Sequence, residues 1–137
     1  MTQALKGQTA LITGASGGIG AAIARELASR GADLVLTARS EDKLVALATE
    51  LRDAHKVAVH VFPGDLSTAA GSTALVKRVE TDGLTIDILV NNAGLGAWGP
   101  FAQMEWSTVE HLIDLDIRAL TFLTSHFVPK MRARGRG

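Results

Sequence analysis

The chain has 137 residues, 47% apolar and 20% charged, with 14 basic residues against 14 acidic ones. That length suits one domain spanning residues 1–137, the composition excludes a disordered chain, and zero net charge argues against nucleic acid as the main partner. The chain has no cysteine, which excludes disulfides and thiolate metal sites. No apolar run approaches the roughly 18 residues of a membrane span, and "MTQALKGQTALI" has no cleavable signal pattern, so the expectation is a soluble cytoplasmic protein without a membrane partner.

"TALIT" (Thr9 to Thr13) is a short apolar run that predicts a buried strand. From Gly18 to Arg30, Ile19, Ile23 and Leu27 recur every four residues beside Ala24 and Ala28. This predicts a helix with a small-residue face, stopped by Gly31. "DLVLTA" (Asp33 to Ala38) predicts the second strand. Ser40 is placed to cap the next helix, Glu41 and Asp42 suit its first turn, and Leu44, Leu47, Ala48 and Leu51 form its apolar stripe. "VAVHVF" (Val57 to Phe62) is the third strand, closed by Pro63-Gly64. A helix follows from Thr68 to Thr81, with Leu75, Val76 and Val79 inward. "IDILVN" (Ile86 to Asn91) is the fourth strand, and a glycine-rich loop follows it. Ser107 and Glu110 have capping-box spacing at the start of a last helix carrying Val109, Leu112, Ile113, Ile117, Leu120, Leu123 and Phe127. Pro129 should disturb that helix near its end. Lys130, Arg132, Arg134 and Arg136 read as a solvated basic helix end. His55, His60, His111 and His126 lack metal-ligand spacing and read as structural or surface residues.

Four alternations of strand and helix predict an α/β fold with a parallel sheet covered on both faces. If strands two and three step one way from strand one and strand four returns to its other side, right-handed crossovers place the first two helices on one face and the last two on the other. The strand order becomes 3-2-1-4, and the crevice between strands one and four is the switch point where such sheets bind ligands.

The segment "TGASGGIG" (Thr13 to Gly20) bears on what binds there. A tight strand-to-helix turn accounts for one or two glycines but not four. "GASGG" matches a nucleophile elbow with Ser16, yet an elbow serine stands on a central strand of a sheet already laid down, and here the first strand supplies it. The remaining reading is a phosphate cradle, in which glycines let backbone N–H groups approach a pyrophosphate at a helix N-terminus. The spacing is G-x-x-x-G-x-G at Gly14, Gly18 and Gly20, not G-x-G-x-x-G, and it lacks the Lys-Ser/Thr of a P-loop.

"TGASGGIG", "DL" at Asp65-Leu66 and "NNAG" at Asn91 to Gly94 together resemble the short-chain dehydrogenase/reductase family, and its NADP-dependent 3-oxoacyl-carrier-protein reductase-like branch in wording. The resemblance runs from about residue 7 to the end. It implies a partial Rossmann-type doubly wound sheet with the C-terminal strands absent. It also implies a dinucleotide held by Gly14, Ser16, Gly18, Ile19 and Gly20, with Asp65 and Leu66 flanking the adenine. Asn91 and the Ala93-Gly94 backbone would line the adenosine ribose. On its own Asp65 also fits ordinary turn chemistry, and Asn91 fits a role holding the central strands together. An NAD site offers a carboxylate after strand two; here Ala38 is followed by Arg39 and Ser40, so a 2′-phosphate is the better partner and NADP(H) is expected over NAD(H).

The family's proton donor is a tyrosine followed four residues later by lysine, with a serine on the preceding strand. The chain contains no tyrosine, so that acid/base is expected to be missing and the chain to be inactive alone, the cofactor-binding half of an oxidoreductase. The resemblance also puts an asparagine where Asp116 stands, and Asp116 has the alternative of a solvated helix residue. Strand four, central in the family's sheet, becomes an edge, which predicts association with itself or with a complementary C-terminal half. A non-catalytic dinucleotide-binding or regulatory module, and an association half-domain without cofactor, are the alternatives.

Overall fold

A computed structural model describes residues 3–137. Four strands, β1 (Thr9–Thr13), β2 (Asp33–Thr37), β3 (Val59–Val61) and β4 (Ile88–Val90), form one sheet in the order β3-β2-β1-β4. Every pairing is parallel, with Leu11 opposite both Val35 and Leu89. Helices α1 (Gly18–Ser29), α2 (Glu41–His55) and α3 (Ala69–Thr81) make the first three crossovers. A short 3-10 turn (Phe101–Gln103) then leads to α4 (Trp106–Leu112), a π-helical segment (Ile113–Ala119) and α5 (Leu120–Arg134).

The side-chain period of two sorts each strand between two cores. Ala10, Ile12, Leu34, Leu36 and Val59 pack with α1 and α2 on one face. Leu11 and Val35 pack with Leu75, Val76, Val79, Leu123 and Phe127 from α3 and α5 on the other. Both faces are covered, so the strands read as continuous apolar runs rather than alternating ones.

α2 buries Leu44, Leu47, Ala48 and Leu51, the stripe its sequence predicts. Ser40 is its N-cap by backbone conformation, but the hydroxyl makes no capping bond. In α3 the Thr68 hydroxyl accepts the Gly71 N–H at 3.0 Å. α1 has the small-residue face its sequence predicts. Its small residues Gly20, Ala21, Ala24 and Ala28 are the buried ones, while Ile19 is 73% exposed. Small side chains let this helix lie close on the sheet, with Ile23 and Leu27 half-buried against the same core. Strands β3 and β4 are shorter than predicted because each has a neighbour on one side only.

The last helix is corrected at three points. It starts at Trp106 with Glu105 as N-cap, so Ser107 lies inside the first turn and forms no capping box. The cap position needs extended backbone, which Glu105 supplies at φ −61°, ψ 136°. Pro129 does not end the helix, which continues to Arg134 and closes on left-handed Gly135. Of the predicted apolar stripe only Leu123 and Phe127 are buried, while Ile113, Ile117 and Leu120 are exposed. The terminal basic residues are exposed, as a solvated helix end should be, and three of them also make contacts. Lys130 pairs with Glu80 at 2.5 Å. Arg136 approaches the buried Asp87 carboxylate at 3.3 Å, and Arg134 donates to the Ile86 carbonyl at 2.7 Å. Among the described residues, no helix is long and apolar enough to cross a membrane.

Candidate functional site

The chain turns one way from β1 to β2 and the other way from β1 to β4. The strand ends therefore diverge, and a cleft of about 280 Å³ opens at this switch point. Gly14, Ala93 and Gly94 line it from the central strand ends. Ala38, Arg39 and Ser40 contribute the wall after β2, Asp65 and Leu66 the wall after β3, and His111 and Leu115 the wall from the last helix.

The central seam is held by Thr13. Its hydroxyl donates to the Val90 carbonyl at 3.3 Å and accepts the N–H groups of Asn92 at 3.0 Å and Ala93 at 2.8 Å. The Asn92 amide donates back to the carbonyls of Thr13 at 3.1 Å and Gly14 at 3.2 Å. Closing this seam requires glycine at two positions. A Cβ on Gly14, whose φ is +63°, would lie 2.9 Å from the Ala93 Cα. A Cβ on Gly20 would lie inside contact distance of the Gly14 carbonyl oxygen and the Asn92 amide. Gly17 and Gly18 are different, since nothing lies within 4 Å of a Cβ built on either.

That open space lies at the start of α1. The helix is capped by Gly17, with no side-chain cap and no acidic residue in its first turn. The first N–H groups and the positive end of the helix dipole therefore face outward without a protein anion. An uncapped helix end beside a cradle open at two glycines fits a diphosphate.

Asp65 confirms its turn role and also faces the cleft. Its Oδ1 accepts the Ser67 hydroxyl at 2.6 Å and the Ser67 N–H at 2.9 Å. The Ser67 hydroxyl, and after it the Ser67 amide, hold the carboxyl below its ordinary value against the opposing effect of burial, with Arg39 and His111 adding through space. Asp65 thus stays ionised. Arg39 is exposed and forms no salt bridge among the described residues.

Gly14, Ser16, Arg39, Asp65, Leu66, Ala93 and Gly94 are thus brought to one cleft. Gly18 and Ile19 are exposed at the start of α1 and Gly20 is buried there, and none of the three is a lining residue of the cleft. Asn91 is not a lining residue. Its amide points away and donates to the Thr124 hydroxyl of α5 at 2.9 Å, and the strand-bridging role belongs to Asn92. Asp116 is half-buried rather than solvated: its Oδ1 accepts the Leu95 N–H at 2.8 Å and ties the glycine-rich loop to the π-helical segment. His126 lies between Glu80 at 3.1 Å and Lys130 at 2.9 Å, in keeping with a structural role. The sequence reading missed His111 and Leu115. They are four apart on one helix face, a spacing that marks a shared surface but not which surface it is. Among the described residues, no group of three or more His, Cys, Asp or Glu side chains is arranged to hold a metal ion.

An all-parallel sheet in the order 3-2-1-4 with its cleft at the switch point defines a Rossmann-type protein. Within that class the chain belongs to the short-chain dehydrogenase family, whose model matches residues 8–137. Nodulation protein G of Rhizobium sp. (strain N33) is 41% identical over 136 residues, 97% of this chain and 53% of that protein. The 3-oxoacyl-[acyl-carrier-protein] reductase of Rickettsia bellii is 36% identical over 97% of this chain and 52% of its own length. A short-chain dehydrogenase from Sphingobium yanoikuyae, solved in complex with NADPH, superposes with a TM-score of 0.89 at 45% identity, over 95% of this chain and 50% of that one. The chain spans about half the length of these relatives.

Proposed function

We propose that this chain binds NADP(H) in the switch-point cleft and serves hydride transfer between that cofactor and a carbonyl or alcohol substrate. The observation that carries the reading is the rim after β2. Ala38, Arg39 and Ser40 line it, no carboxylate is offered there, and the exposed Arg39 has no salt-bridge partner among the described residues. A guanidinium at this place pairs with a ribose 2′-phosphate through charge-assisted hydrogen bonds, whereas a ribose 2′-hydroxyl calls for a carboxylate. The relative from Sphingobium yanoikuyae, solved with NADPH, supports the same cofactor.

The roles follow from position. The N–H groups at Gly18, Ile19 and Gly20 would receive the pyrophosphate, with Gly14 and Ser16 beside it. Asp65, an ionised acceptor, suits the adenine amino group, and Leu66 offers an apolar surface for the ring. The Ala93-Gly94 backbone would border the adenosine ribose. When bound, the nicotinamide supplies or accepts the hydride. The family's acid/base tyrosine has no counterpart among the 137 residues, so in this proposal the proton donor comes from outside them and the segment alone holds cofactor without turnover. The open edge of β4 belongs to the same proposal, as the place where a second copy or a complementing half associates.

Titration calorimetry with NADPH and NADH tests the cofactor assignment. Arg39→Asp should weaken NADPH binding by at least about 10-fold, as expected for loss of a charge-assisted pair and gain of a repulsion, and NADH binding by much less. Equal losses for the two cofactors, or no binding by the unaltered chain, would overturn it.

A further inference from the structure

His111 is the one titratable group on the cleft wall that the dinucleotide assignment leaves without a role. It stands in the last turn of α4, half-buried, with Leu115 one turn further on the same wall. Across the cleft stand Arg39 after β2 and Asp65 after β3. The nearby acidic groups are engaged or directed elsewhere. Asp116 holds the Leu95 N–H, Asp114 pairs with Arg118 at 2.6 Å, and Glu110 is exposed on α4. The Asp65 oxygen that takes both Ser67 bonds is committed to its own turn. No hydrogen bond or salt bridge among the described residues anchors the imidazole.

Resting on the dinucleotide reading above, we propose that His111 is a binding residue for the phosphorylated adenosine end of the cofactor, opposite Arg39, and that its protonation strengthens binding of the 2′-phosphorylated form. Two features of the cleft support the placement. Its walls after β2 and β3 are those assigned to the 2′-phosphate and the adenine, and His111 closes the same space from the third side. Arg39, Asp65 and His111 line this one cleft together. Imidazole is the side chain that ordinarily changes charge between about pH 5 and 8, and a protonated one here would add a cation to this wall. A dianionic phosphate feels that charge more than a neutral ribose hydroxyl does.

The test measures NADPH and NADH affinity of the full chain from pH 5.5 to 8.5, unaltered and as His111→Gln. The 2′-phosphate itself gains a proton near pH 6, but this is common to both proteins and cancels in their ratio. The unaltered chain should bind NADPH about 5-fold more tightly than the variant at pH 6, with the advantage shrinking toward pH 8, as expected for a cation several ångströms from a dianion in a solvated cleft. NADH should show a much smaller ratio throughout. Parallel pH curves for the two proteins, with NADPH binding intact, would overturn the His111 assignment and leave the cofactor reading standing. A pH-independent loss equal for both cofactors would also overturn it, because that is the mark of a packing role. No NADPH binding by the unaltered chain at any pH would overturn both.

Discussion

Replacing Thr13 by valine tests whether the seam between β1 and β4 rests on one hydroxyl. The side chain is 2% exposed, and valine has nearly its shape. The substitution removes the acceptor for the Asn92 and Ala93 N–H groups, at 3.0 and 2.8 Å. Each half-buried amide left without an acceptor costs about 1 kcal/mol. The donated bond to Val90 is long, at 3.3 Å, and adds little. The expected loss is therefore about 2 kcal/mol, with the valine methyl returning a fraction of it through apolar burial. Thr13→Ser keeps all three bonds and deletes one methyl, at a cost of about 1 kcal/mol. Urea unfolding followed by circular dichroism separates the two. With a slope of about 1–3 kcal/mol per molar, the valine variant should lose roughly 1 M in midpoint and the serine variant about half of that. A valine variant as stable as the serine variant would refute the reasoning, because packing would then outweigh the hydrogen bonds.

Two further outcomes are expected. Asp65 titrates below its ordinary value in the folded chain, so its stabilising contribution is present above the unfolded carboxyl pKa and disappears as pH falls through the lower folded value. Asp65→Asn should therefore lower stability at pH 7 by less than about 1 kcal/mol, because solvent screens so exposed a group, and the difference should close as both proteins are taken into strong acid. An Asn variant whose deficit grows on acidification would contradict this sign. The open edge of β4, with exposed Val128 of α5 beside it, predicts mass-dependent association in light scattering as concentration rises; a constant monomer mass would sink that expectation.

Much of the architecture was legible before any coordinates. The alternation of apolar runs with helical stripes specified β1 to β4, the order 3-2-1-4 and the division of helices between two faces. Leu44, Leu47, Ala48 and Leu51 fell on the buried side of α2 as their spacing predicted. The glycine turn, Arg39 and Asp65 were legible too, because turn chemistry and charge at a strand end are local properties. Legibility failed where a residue's meaning depends on what lies across from it. Ile19 shares the helical period of Ile23 and Leu27, yet those two pack against the core while Ile19, at the open start of α1, is exposed.

The sequence by itself therefore determined the family fold, the glycine-rich strand-to-helix turn and the absence of the family's tyrosine. Periodicity, glycine content and composition each act over a few residues or none. The tertiary structure alone decided that Asn92, not Asn91, laces β4 to β1, that Asp116 holds the Leu95 amide, and that His111 closes the cleft. Those outcomes depend on the register and rotation of segments up to 79 residues apart. A hydrogen bond of 3 Å is satisfied or lost by displacements that no local pattern encodes.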